Sequence, residues 1–126
     1  MTIQDFLELI NLEMTNADML PYAVERTDYS AKNFGNALAV IRFDSLRITF
    51  VKERGQVFID VSSVALPKKE VPCDTVFEKL NSERGLSLLS DTCPENWKLA
   101  LSQIRENITL IERLLNDWQS CEKSLE

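Results

Sequence analysis

The spacing of apolar residues changes along this chain, and each change marks a different kind of element. Ile3, Phe6, Leu7, Ile10 and Met14 recur at helical spacing, which predicts a helix over residues 2 to about 16 with one buried stripe. Thr2 and Asp5 make a near capping box at its start, with Asp where Glu or Gln is usual. Asp5, Glu8 and Glu13 fall off the stripe, and the early acids suit the positive end of the helix dipole. From Thr15 to Asn36 no period holds. Asn16, Asp18, Pro21, Asn33, Gly35 and Asn36 interrupt it, while Met19, Leu20, Tyr22, Val24, Tyr29 and Phe34 make it too apolar for a free linker. Packed irregular structure, or a short strand around residues 22–27, is expected there.

The period then becomes two. Ala37, Ala39, Ile41 and Phe43 alternate with Leu38, Val40 and Arg42. Leu46, Ile48 and Phe50 alternate with Arg47, Thr49 and Val51, and Val57, Ile59 and Val61 with Phe58, Asp60 and Ser62. These runs are rich in β-branched and aromatic residues. Asp44-Ser45 and Glu53-Arg54-Gly55 are short enough to fold them as an antiparallel meander, with Gly55 free to take a positive φ. Residues 65–72, with two prolines and the Lys68-Lys69 pair, read as a loop. A short helix from about Asp74 to Arg84 turns Val76, Phe77 and Leu80 inward and stops at Gly85. Leu86, Leu88 and Leu89 are expected to plug one end of the core.

Past Pro94, which suits a first helical position, Trp97, Leu101, Ile104, Ile108, Ile111, Leu115 and Trp118 form a heptad stripe widened by Ala100, Leu110 and Leu114. One helix from Pro94 to about Lys123 would run about 45 Å at 1.5 Å per residue. The expected architecture is a single α+β domain over residues 1–126. A three-stranded antiparallel meander packs against an N-terminal helix, a short helix and a long C-terminal helix. The stripe can pack on the chain's own sheet, or it can pair with a second copy or a partner helix. The outward sheet face carries Leu38, Val40, Val51 and Phe58 among Arg42, Arg47, Thr49 and Asp60. This is either a contact surface or a face covered by the 15–36 stretch.

Charge narrows the partners. Fourteen basic residues stand against 20 acidic ones, a net charge of −6. A phosphate backbone needs clustered Lys and Arg, so direct nucleic-acid binding is disfavoured, as is an anionic membrane surface. A basic protein partner is compatible. No apolar run approaches the roughly 20 residues that span a bilayer. The acidic N-terminus does not resemble a secretion signal, so a cytoplasmic location is expected.

Catalytic chemistry is poorly supplied. The chain has no His, which removes the commonest general base and most zinc enzymes. Its glycines are isolated, so no phosphate loop forms. Cys73, Cys93 and Cys121 are far apart in the sequence and read as structural thiols, with no metal site and no cofactor. Asp44, Glu53 and Asp60 are the only acid grouping that can be drawn, and solvated acids account for them. The chain is therefore read as a binding protein and not an enzyme.

The segment from Ala39 to Val61, with Asp44-Ser45 and the Lys52-Glu53-Arg54-Gly55 turn, resembles the strand meander of small bacterial immunity proteins. These are the partners of polymorphic and contact-dependent growth-inhibition toxins. The short helix after a Pro-containing loop and the long helix with Arg105-Glu106-Asn107-Ile108 are similar too, so the likeness covers residues 37–120. It implies a stoichiometric inhibitor that occludes a cognate toxin domain in the cytoplasm. A basic nuclease would be suited to the charge. The proposed contacts are Tyr22, Glu25, Asp28, Tyr29 and Asp60. The rival is a secretion chaperone, also small, acidic, α+β and usually dimeric, from which three strands and one long helix would set this chain apart.

Overall fold

The computed structural model describes residues 2–30 and 36–125, with the side chains of Ser30, 66–68 and 119–125 outside the description. Helix α1 spans Ile3–Asn16 and opens on the expected capping box: the Thr2 side chain accepts from the Asp5 amide, and the Asp5 carboxylate accepts from the Thr2 amide. Five strands follow, β1 (Ala23–Ser30), β2 (Asn36–Phe43), β3 (Leu46–Glu53), β4 (Gln56–Ser63) and β5 (Leu66–Pro72), and then α2 (Cys73–Arg84), α3 (Trp97–Glu106) and α4 (Ile108–Leu125). The strands pair antiparallel in chain order, so the sheet is a five-stranded meander. Arg54 and Gly55, at φ 51° and 81°, make the two-residue turn that matches the strand twist between β3 and β4.

Period two sets the faces. Ala37, Ala39, Ile41, Phe43, Leu46, Ile48, Phe50, Val57, Ile59 and Val61 are all buried. Phe6, Ile10 and Met14 of α1, Val76, Phe77 and Leu80 of α2, and the stripes of α3 and α4 join them in one core. Phe50 and Trp97 meet edge to face at 6.0 Å. Leu38, Val40, Val51 and Phe58 face the other way, are only half-buried, and lie outside that core.

Several expectations are corrected. The sheet has five strands, not three. Of the two alternatives for the 15–36 stretch, the short strand around residues 22–27 is the one present: it is β1, longer than expected and an edge strand whose side chains from Ala23 to Tyr29 are all exposed; residues 31–35 of that stretch lie outside the described ones. The expected loop at 65–72 contains β5, with Pro67 and Pro72 tolerated because β5 is the other edge. The long helix starts at Trp97, with Pro94 in the preceding turn, and is interrupted at Asn107. There the Asn107 side-chain amide donates to the Gln103 carbonyl (3.0 Å), which its own backbone N–H also reaches (3.2 Å). The heptad stripe continues through the break into the chain's own core: Trp97, Leu101, Ile104, Ile111 and Leu115 are buried, and Ile108 and Trp118 pack half-buried. Glu13 is also buried, although it lies off the α1 stripe, and its carboxylate lies 3.0 Å from Lys98 Nζ of α3. Leu86 and Leu88 pack on the core as expected, but Leu89 is exposed.

Candidate functional site

The connection from residue 85 to 96 has no regular structure, so its backbone groups need partners elsewhere. Three side chains supply them. Asn81 of α2 donates to the Leu88 carbonyl and accepts from the Leu88 amide, both at 2.8 Å. Gln103 of α3 does the same at Leu89, at 2.9 and 2.8 Å. Asp74, in the first turn of α2, accepts from the Thr92 amide (3.0 Å), the Thr92 hydroxyl and the Cys93 amide (3.3 Å). The loop is pinned along its length, and Cys93 is delivered to the start of α2.

There it meets Cys73. The two sulfurs are 3.7 Å apart, and both cysteines are free thiols. Cys73 is 1% exposed; Cys93 is half-buried. Far apart in the sequence, the two meet in space: 20 residues of chain close on themselves through α2 and the pinned loop. The neighbouring Cys93 sulfur and burial push the Cys73 thiol up. Bonds from Cys73, Thr92 and the Ile59 backbone hold Cys93 below the ordinary thiol value despite burial. Both sulfurs and an Asp74 oxygen lie within 4.8 Å of one another, the one group of possible metal donors among the described residues. Cys121 lies outside the described side chains.

Beside the thiols a cleft of about 410 Å³ opens where β5 ends and α2 begins. Val51, Phe58 and Pro72 give it apolar walls, and Glu53, Asp60 and Asp74 give it acids. Asp60, on β4 opposite Thr49 and Pro72, makes no hydrogen bond or ion pair with any described residue. Burial and then the nearby Glu70 push its carboxyl above the usual range. Glu70 itself accepts from the buried Thr49 hydroxyl at 2.9 Å.

The other predicted contact residues are spread across the opposite edge. Tyr22 packs half-buried against the core and donates to Asn11 at 2.5 Å. Glu25 sits at the β1 bulge and pairs with Arg47 at 2.5 Å, which holds its carboxyl low. Arg42 and Arg47 are directly paired across strands, and this carboxylate offsets their repulsion. Asp28 and Tyr29 are exposed on β1, opposite Leu38 and Ala37. Asp28 and Asp60 share the open face but are separated by β2 and β3, about 14 Å at the usual strand spacing. The structure thus joins Asp60 to Cys73, Asp74 and Cys93, which no sequence spacing signals, and leaves Glu25, Asp28 and Tyr29 as a separate edge group.

No helix among the described residues is long and apolar enough to cross a membrane. No protein-family model matches the chain, and searches of the curated proteins and of the solved structures find no match either.

Proposed function

We propose that this chain is an immunity-type inhibitor: it binds a cognate toxin domain with a basic surface, a nuclease being the best suited, and covers its active site or substrate surface in the cytoplasm. Asp60 is the observation that carries this reading. Its carboxylate is half-buried, unpaired among the described residues, next to Glu70, and set in a cleft walled by Val51, Phe58 and Pro72. A carboxylate so placed costs the free protein stability. An incoming Lys or Arg relieves that cost, its charge meeting Asp60 and its stem lying on Phe58. The half-buried Leu38, Val40 and Val51 extend the contact area, and the net charge of −6 steers a cationic partner.

Co-expression with the toxin encoded beside this gene tests the reading. Cells should survive, and Asp60→Lys should abolish both rescue and complex formation while the protein stays folded. Failure of the well-folded wild type to rescue sinks the proposal. A secretion chaperone is the second reading, favoured by one observation: five strands and an interrupted last helix remove both features that set this chain apart from that class. A stable dimer by light scattering, together with retention of a neighbouring secreted effector, would move it to first place.

A further inference from the structure

We propose that Cys73 and Cys93 are a redox modification site, closing to an intramolecular disulfide by exchange with a low-molecular-weight disulfide of the glutathione type. The sulfurs are already in contact at 3.7 Å, and closure to a bond of about 2.05 Å needs a shift of under about 2 Å. The contact is built rather than incidental. Asp74 holds the Thr92 and Cys93 amides, while Asn81 and Gln103 fix the same loop at Leu88 and Leu89.

The two thiols have different access. Both cysteines line the large cleft, but Cys73 is only 1% exposed, whereas Cys93 is half-buried and also lines a second opening beside Asp91 and Glu95. Cys93 is therefore the attacking thiol and Cys73 the resolving one. The Cys93 thiolate attacks one sulfur of the glutathione disulfide. A mixed disulfide forms and one glutathione thiolate leaves, taking up the proton that Cys93 lost. Cys73 then gives up its proton and attacks the Cys93 sulfur. The Cys73–Cys93 bond forms, the mixed disulfide breaks, and the second glutathione leaves with that proton. Two protein thiols are oxidised and one glutathione disulfide is reduced to two thiols. This inference does not depend on the proposed function.

The test uses the full chain with Cys121→Ser, which leaves only the pair. After incubation with glutathione disulfide, intact mass should show the loss of two hydrogens, alkylation should find no free thiol, and dithiothreitol should reverse both. Adding Cys73→Ser should trap one glutathione on Cys93, while adding Cys93→Ser should leave Cys73 unmodified in the native protein. Two alkylatable thiols persisting in the folded, metal-free Cys121→Ser protein would overturn the proposal without recourse to the second substitutions. So would one bound equivalent of Zn²⁺ on a pair that glutathione disulfide fails to oxidise once the metal is stripped.

Discussion

Ile48 lies in the middle of β3, the central strand, opposite Ile41 and Val61, with 0% of its surface exposed. Ile48→Ala removes three buried carbons and leaves a cavity that the neighbouring strands cannot collapse to fill, a loss of about 3 kcal/mol. At this chain length about 1 kcal/mol shifts the melting temperature by about 4 °C, so the variant should melt about 12 °C lower. Ile48→Asp loses the same packing and also buries a carboxylate with no route to water; about 5 kcal/mol or more is expected, enough to unfold a marginal domain. Val40, one strand away on the open face and half-buried, is the control. Val40→Asp keeps its charge at the solvent boundary and should cost about 1 kcal/mol. Thermal and urea unfolding followed by circular dichroism measure all three. If Val40→Asp proves as damaging as Ile48→Asp, or Ile48→Asp melts within a degree of wild type, the assignment of the two sheet faces is wrong.

Asp60→Asn should stabilise the free protein at pH 7, because the folded state raises the Asp60 pKa and so penalises the charged form. That penalty is full above the raised folded value and gone below the unfolded value of 3.8, so the gain in urea midpoint should shrink from pH 7 towards pH 4. A gain that grows on acidification would contradict the burial argument. Lys98→Ala should cost about 1–2 kcal/mol by leaving the Glu13 carboxylate buried without its partner, at the low end because Lys98 itself is largely exposed and screened; unchanged urea unfolding would refute the pairing. Gln103→Ala should cost about 1–3 kcal/mol by orphaning both backbone groups of Leu89, and hydrogen exchange at the Leu89 amide should speed up even if global stability barely moves.

Period and turn chemistry determined much of this protein from the sequence alone. The Thr2–Asp5 box, the inward residues of the central strands, the inward stripe of α2 and the stop at Gly85 follow from local rules that need no distant partner. The edge strands were less legible, β1 only as one of two alternatives around residues 22–27 and β5 not at all, for the opposite reason. Residues 23–29 of β1 bury nothing and β5 carries two prolines, so neither shows alternation, and only pairing with β2 and β4 makes them strands. Asn107 hid within an unbroken apolar stripe because the interruption changes hydrogen bonds and not burial. Of the candidate site, Asp60 was legible as an acid on an open sheet face. The Cys73–Cys93 contact was not, since thiols 20 residues apart carry no periodic signal. What joins them is the Asp74 carboxylate capturing the Thr92 and Cys93 amides across the fold, a side chain-to-backbone bond that any Asp could make and only the tertiary structure assigns.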